Sequence, residues 1–433
     1  MNKSFLKALG PGILFASTAI GVSHLVQSTS AGARYGFTLV VAIVLANLFK
    51  FPFFQYASRY ANATGTSIID GYKKIGSWML WLYFIITIAT MFFVCSAVGV
   101  VTSGFMDNLF NITGVLTAQN IPMANLVTPG ILFVGCTIIL ILGKYKVLDS
   151  LIKVIGAVLL LSTIAAFILA LFNKNSIPTE SYNIVDFAMK PGSDKFIFMI
   201  ALMGWMPTAL DLSSWNSLWT VERIKQTKYH PTLKETLFDF NFGYIISAVL
   251  AIFFVALGAF LMHETGEPLS KSAVGFGKQV IRMYTDAIGS WSYIVIAISV
   301  FSIMFGTLIA VLDGYARSLK RILELLKNKE HKKKGSYIGS ILILTIISFG
   351  IMYHFVYGPQ ASSKGFGNLI KFATTSSFLV APIIAIVNFR LMNKKFVGEE
   401  AHPPMWMKIL SYLGIAFLLT FTALAIYGLS PND

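Results

Sequence analysis

The sequence predicts an all-α membrane protein with about eleven transmembrane helices, the first ten set out as two inverted sets of five. Three observations predict this. First, the 433 residues are 56% hydrophobic and only 12% charged, with a mean hydropathy of +0.72, whereas a soluble domain carries about 25% charged residues. Second, the apolar residues fall in repeated runs of about 20, the length that crosses a bilayer. Third, two of those runs, at corresponding places in the two halves, are broken by glycine or proline. No segment with strand periodicity competes with the helical runs.

The spans follow in order. The first, about 8–33, contains Gly10-Pro11-Gly12 and then Ala19-Ile20-Gly21-Val22-Ser23-His24. Both are interruptions that an uninterrupted helix would not carry. The second to fifth spans cover about 37–62, 77–105, 125–143 and 149–173. The sixth, about 194–221, holds Gly204-Trp205-Met206-Pro207-Thr208-Ala209 at its centre. Proline removes a backbone donor and collides with the preceding turn. The carbonyls so freed need partners, and hydrocarbon supplies none, so the break must face protein or a water-filled cavity. The seventh to eleventh spans cover about 236–262, 289–315, 336–357, 367–392 and 406–429. The whole chain, 1–433, reads as one transporter domain, with helices 1–5 over about 8–173, helices 6–10 over about 194–392 and a last helix over about 406–429. Paired broken helices point to a binding site at the midplane of the bilayer.

Charge sets the expected orientation. Lys3 and Lys7 precede the first span. Arg59, Lys73 and Lys74 follow the second, and Lys144 and Lys146 the fourth. Arg223, Lys225, Lys228 and Lys234 follow the sixth. The connection after the eighth carries Arg317, Lys320, Arg321, Lys327, Lys329, Lys332, Lys333 and Lys334, and Arg390, Lys394 and Lys395 end the tenth. The intervening connections hold Glu180, Asp186, Asp194, Glu264 and Glu267. By the positive-inside rule the N-terminus is cytoplasmic and, with an odd number of helices, the C-terminus external. This implies a multi-pass protein of the plasma (inner) membrane. The same alternation explains the net charge of +15 without nucleic acid as a partner. The expected partners are the lipid bilayer and a small solute. A monomer is compatible with the sequence, and the oligomeric state is left open. Residues 1–9 lead into a full-length apolar run without a cleavage site, so no cleavable signal is expected. Cys95 and Cys136 lie in apolar runs and imply no disulfide framework. Trp78, Trp81, Trp291 and Trp406 fall near span ends, where tryptophans anchor at the interface. Asn111-Ile112-Thr113 fits a glycosylation acceptor, a triplet common by chance. No nucleophile–base pair or cluster of metal-ligand type suggests an enzyme, and no cofactor is expected.

The ionisable and polar residues near the breaks are the candidates for function. His24 stands at the first break, where it could bind substrate or carry a proton, or simply bond a carbonyl of a neighbouring helix. Asp211 lies one turn into the second half of the sixth span, as a dipole-favoured carboxylate or an acceptor for a coupling sodium ion or proton. Thr307 and Asp313 on the eighth span are candidate sodium ligands. Lys50, Lys153 and Lys371 sit in or near apolar spans, where lysines usually snorkel to the interface. Lys371 is the best placed of them to face a pathway, one turn before Thr375.

Beyond these features the sequence resembles the Nramp divalent-metal transporters. The resemblance rests on Gly10-Pro11-Gly12 and Ala31-Gly32-Ala33-Arg34-Tyr35-Gly36 in the first span, and on Asn47-Leu48, Arg59 and Ala63-Thr64-Gly65 in the second. Met206-Pro207, Tyr315-Ala316, Pro382 and Arg390-Leu391-Met392 extend it. It implies a LeuT-type fold working by alternating access, with a sodium site commonly formed between the first and eighth helices. It also implies a changed site. The family reads Asp-Pro-Gly-Asn at the first break, where this chain has Gly21-Val22-Ser23-His24. The metal-binding Asp is Gly21 here and the metal-binding Asn is His24. In the sixth helix the family's Met-Pro-His is Met206-Pro207-Thr208, with Ser213 at a second histidine position. Helix three lacks a strongly acidic or basic residue before Asp107, helix nine offers only His354 as a proton carrier, and a glutamine of helix ten becomes Thr375.

Gly21 supplies no ligand, whereas a divalent cation wants carboxylate, imidazole or similar donors. Half-helix N-termini carry unpaired N–H groups that favour an anion. At the first break these are expected near Ser23, His24 and Leu25, and at the second over Thr208 to Leu210. The expected site comprises Gly21, Ser23, His24, Gln27, Met206, Thr208 and Thr375, with Ser376 nearby. It suits a small anion such as bicarbonate, with sodium or proton as the coupling ion through Asp211, Thr307 or Asp313. Two other readings stand beside it. One is a divalent-metal (Mn, Fe or Mg) transporter with a rearranged site using Met206, His24 and Asp211. The other is a non-transporting sensor on the same fold.

Overall fold

The computed structural model describes residues 8–143, 145–173, 182–263, 267–328 and 335–429, and among these there is no strand. Lys3, Lys7, Lys144, Glu180, Glu264, Lys329, Lys332, Lys333 and Lys334 lie outside the described residues, as do the side chains of Lys146 and Lys153.

Among the described residues, eight helices are long and apolar enough to cross a membrane. They are α3 (Val40–Thr64), α5 (Ser77–Phe110), α7 (Ala124–Leu142), α12 (Leu233–Gly258, continued by a π-turn to His263), α14 (Tyr293–Lys327), α15 (Gly335–Met352, with a π-turn to Tyr357), α16 (Gly365–Arg390) and α18 (Met405–Leu429). The expected series is completed by α8 (Tyr145–Asn173) and by two broken spans. The first consists of α1 (Pro11–Ala19), a π-turn over Ser23–Ser28, and α2 (Thr29–Tyr35). The sixth consists of α10 (Asp194–Gly204) and α11 (Ser213–Thr227), joined through a 3-10 turn at Leu210–Leu212. Short helices fill the connections: α4 (Ile68–Ile75), α6 (Ile112–Ala118), α9 (Ile184–Ala188) and α17 (Lys394–Val397).

One more helix, α13 (Ala273–Ile288), lies between the seventh and eighth spans, where hydropathy marks no span. It is amphipathic. Phe276, Val280, Ile281 and Tyr284 are buried, while Lys278, Arg282 and Asp286 face outward.

Gly10-Pro11-Gly12 is a helix start, not an interruption. Gly10 caps α1 and Pro11 occupies its first turn, where a missing N–H costs nothing. Asp239 of α12 holds this start through its two carboxylate oxygens, 3.0 Å from the Gly10 N–H and 2.6 Å from that of Gly12. Glycine is required there by proximity: a Cβ on Gly12 would fall 1.9 Å from the Asp239 carbonyl oxygen. The same device joins α2 to α12, since a Cβ on Gly32 would lie 2.0 Å from the Val255 oxygen. Small residues let membrane helices approach this closely.

The faces of the molecule follow from contacts. Arg321 at the end of α14 pairs with Asp70 of α4, and Arg223 at the end of α11 lies beside Gly10. The start of the first span and the ends of the second, sixth and eighth therefore share one face, the face of the basic connections. Gly428, near the C-terminus, packs on Gly192 just before α10, on the opposite face. Trp78, Trp81, Trp291 and Trp406 are all at least half exposed, as interfacial anchors would be.

Candidate functional site at the broken helices

The first break is a short one. The Ile20 N–H still bonds the Ala16 carbonyl, and the chain then turns at Gly21, whose carbonyl accepts the N–H groups of both His24 and Leu25. Those two donors, expected to be free for an anion, are therefore taken. A Cβ on Gly21 would lie 2.8 Å from Cγ2 of Thr307, which sets the first span tightly against α14. The Thr307 hydroxyl donates to Ile303, one turn back, and lies 3.3 Å from the Ser17 carbonyl.

His24 is fully buried and faces α12. Its Nε2 lies 2.8 Å from the Ser247 carbonyl oxygen, and its Nδ1 2.8 Å from the Ser23 hydroxyl. A carbonyl oxygen only accepts, so Nε2 carries the hydrogen. The ring edge meets Phe254 at 6.2 Å between centroids. In this arrangement His24 clamps the first span to the seventh. Met206 is also fully buried, with Ser28 Oγ 3.8 Å from its sulfur. His24 and Met206 thus have different partners. Among the described residues no group of three His, Cys, Asp or Glu is placed to hold a metal.

The second break runs from Trp205 to Ala209. The Trp205 indole donates to Ser377 Oγ at 3.0 Å, and a Cβ on Gly204 would fall 2.1 Å from the Thr374 carbonyl oxygen. Ser377 and Thr374 are thus the residues of α16 that meet the break. Thr375, the residue expected there, has a buried hydroxyl with no partner among the described residues. The helical pattern carries the signal for Ser377: Ala373, Thr374, Ser377, Phe378 and Ala381 form one buried stripe, and Thr375 is off it. Also among the described residues, no acceptor is found for the N–H groups of Thr208, Ala209 and Leu210.

Lys50 was expected to snorkel, but it does the opposite. It is completely buried on α3, and its Nζ donates to the carbonyls of Met203 and Gly204 at 2.6 and 2.8 Å. These are the last carbonyls of α10. Lys371, in contrast, is half exposed and lies 3.5 Å from the exposed Asp194.

Asp211 is buried at the start of the second half-helix. Its Oδ2 accepts from Thr90 of α5 at 2.9 Å, and its Oδ1 has no partner among the described residues. Tyr83 reaches its backbone carbonyl and the Ser214 hydroxyl. Ser213 is engaged by Asn388 of α16, which also ties in Tyr72. His354 is exposed at the end of the ninth span.

Two cavities line up along α1 and α14. A central one, with about 20 Å³ open to a water-sized solute, is lined by Thr18, Val22, Ser23, Trp205, Thr208 and Thr307, among others. That is room for about one water. A vestibule of about 710 Å³ opens below it on the face of the basic connections, between Pro11 and Leu14, Trp219 to Gln226, and Ala310 to Lys320. Asp313 belongs to this vestibule. It pairs with Arg317 at 2.7 Å and accepts from Tyr337, so it is held away from Thr307. Gln27 is buried in the first span and lines neither cavity.

The sequence matches the profile of the Natural resistance-associated macrophage protein-like (Nramp) family over residues 12–428. The chain belongs to the Nramp family. It is 34% identical over 422 residues to an uncharacterized protein of Pasteurella multocida, covering 97% of this chain and 92% of that one. In structure this Nramp chain is similar to the manganese transporter of Eremococcus coleocola, with a TM-score of 0.72 at 14% identity over 99% of this chain and 89% of the other. It is also similar to MhsT in complex with L-phenylalanine, with a TM-score of 0.63 at 15% identity over 96% and 98% of the two chains. These likenesses establish a LeuT-type, all-helical transporter fold. The Nramp chain is a membrane transporter and not an enzyme.

Proposed function

We propose that this Nramp-family transporter moves a small anion of about the size of bicarbonate by alternating access. The observation that carries the reading is the charge at the sixth-span break. An ammonium sits at one side, N–H groups without acceptors among the described residues sit at the other, and the described residues lining the central cavity include no carboxylate, imidazole or thioether. Half-helix N-termini favour negative charge. A divalent metal would want anionic or imidazole ligands in that cavity. The manganese named for the Eremococcus coleocola protein is therefore not the solute proposed here. Asp211 does not oppose the reading, because its side chain is turned to Thr90 and is not among the cavity's lining. A solute of four heavy atoms exceeds the space for about one water, so the half-helices must part to admit it.

Coupling belongs to the same proposal. The hydroxyls of Thr18 and Thr307 donate to carbonyls one turn back, leaving their oxygens as acceptors. With the Ser17 carbonyl, Thr307 offers sodium the oxygen ligands it prefers. Asp211 is the alternative, as a proton acceptor.

Uptake of labelled bicarbonate into proteoliposomes tests the reading, with manganese uptake measured in parallel and a manganese-transporting relative as the positive control. Saturable bicarbonate uptake without manganese uptake is expected. A sodium gradient should raise it, and Thr307→Ala should flatten that dependence. Saturable manganese uptake would overturn the proposal, and uptake indifferent to sodium would leave Asp211 as the coupling residue.

A further inference from the structure

A fully buried lysine inside a membrane protein needs an explanation. Lys50 lies in Phe49-Lys50-Phe51-Pro52-Phe53-Phe54, and an ammonium in such surroundings is costly unless its donors are matched. They are matched by one specific feature, the carbonyl end of α10. The Met203 carbonyl has lost its helical partner, because the residue four further on is Pro207, which has no N–H; at the break it meets only the nearby Trp205 and Met206 N–H groups among the described backbone donors, the latter at 3.3 Å. The Gly204 carbonyl is freed by the same break. Such an end carries partial negative charge. In transporters built on broken helices, exposed carbonyls and half-helix C-termini of this kind coordinate cations.

We infer that Lys50 is a tethered cation. Its ammonium occupies a cation-coordinating position made by the Met203 and Gly204 carbonyls, so no free ion is needed there. The inference holds whichever solute is carried. It also predicts a latent site. Truncating the lysine leaves two convergent carbonyls and a vacated volume, a combination that would bind a small monovalent cation such as sodium, potassium or ammonium.

The test is thermal unfolding of the purified full chain in choline chloride, titrated with sodium, potassium or ammonium chloride. Wild-type protein should show no saturable response at this position. Lys50→Ala should be less stable in choline and should regain several degrees, saturably, with at least one of the three ions. Lys50→Met, which refills the volume with an apolar chain, should be destabilised and unresponsive. Folded Lys50→Ala that answers to none of the ions would overturn the inference, as would the same response in wild type and variant. If Lys50→Ala does not fold in choline, it is purified in each cation and in ethylammonium. Recovery of monodisperse protein in a cation other than choline supports the tethered-cation role, and recovery in none of them sinks it. Bicarbonate uptake enters neither arm, so this result and the solute assignment can fail separately.

Discussion

Gly21 and Thr307 show how a single pair of residues ties the first break to the eighth span. A Cβ at Gly21 would stand 2.8 Å from the Thr307 methyl and 3.1 Å from its hydroxyl oxygen. That is inside any normal contact, so Gly21→Ala must push Thr307 or the break aside. Overpacking of this sort costs about 1–3 kcal/mol. The methyl is the closer atom, and Thr307→Ser removes it while keeping the hydroxyl. Gly21→Ala should therefore lower thermal stability and uptake together. The double variant Gly21→Ala/Thr307→Ser should recover about 1 kcal/mol relative to additivity. A double-mutant cycle read by thermal unfolding decides it; strict additivity would mean that the two residues are not in contact in the working protein. The same contact bears on metal transport. A carboxylate introduced at Gly21 meets the same obstacle at its Cβ, so restoring the family's ligand there requires a smaller residue at 307 as well.

At the scale of elements, α1 is held at its start by Asp239 of α12 and at its far end by the tight turn at Gly21. Two charge-assisted bonds to backbone N–H groups, at 3.0 and 2.6 Å, fix the end of α1 that borders the vestibule. Each such bond contributes about 1.5–3 kcal/mol. Asp239→Ala should release this end and widen the vestibule on the basic face. Leu14 lines that vestibule, and Cys95 and Cys136 are buried, so a single Leu14→Cys reports the change. Its labelling by an impermeant maleimide should speed up in the Asp239→Ala background. Unchanged labelling with intact fold would show that Asp239 does not hold α1. The spans themselves are legible in the sequence, because a run of about 20 apolar residues has no stable alternative in a bilayer. The breaks are legible because Pro207 and Gly21 cannot continue an ordinary helix in apolar surroundings. The direction of a side chain around a buried helix is not legible in the same way. Ala373-Thr374-Thr375-Ser376-Ser377-Phe378 offers four hydroxyls of like polarity, and only packing selects Thr374 and Ser377 over Thr375. Lys50 escaped for a related reason. An apolar neighbourhood fits a snorkelling lysine as well as a buried one, and the carbonyls that hold it are 153 and 154 residues away in the chain.

At the scale of the whole molecule, the two cavities follow one another along α14. The vestibule reaches from the basic connections to Ala310 and Asp313 of α14, and the small central cavity begins at Val311 and Thr307 of the same helix. Arg317 and Lys320 line the vestibule on one side, while Glu222 and Asp313 temper their charge. The positive-inside rule predicts a cytoplasmic location for this face, and on the transport reading proposed above the arrangement would be the inward-facing stage of the cycle. Ile338 of α15 lines the vestibule and lies far in the chain from either break. A single Ile338→Cys should react with an impermeant thiol reagent in inside-out vesicles and stay protected in right-side-out ones. Saturating bicarbonate with a sodium gradient should slow the labelling, because turnover draws molecules out of the inward-facing state and a ligand shifts an equilibrium only through its differential affinity for the two states. Reaction only in right-side-out vesicles would reverse the orientation read from the charges. Protection that does not respond to the anion would separate this conformation from the transport cycle proposed for it.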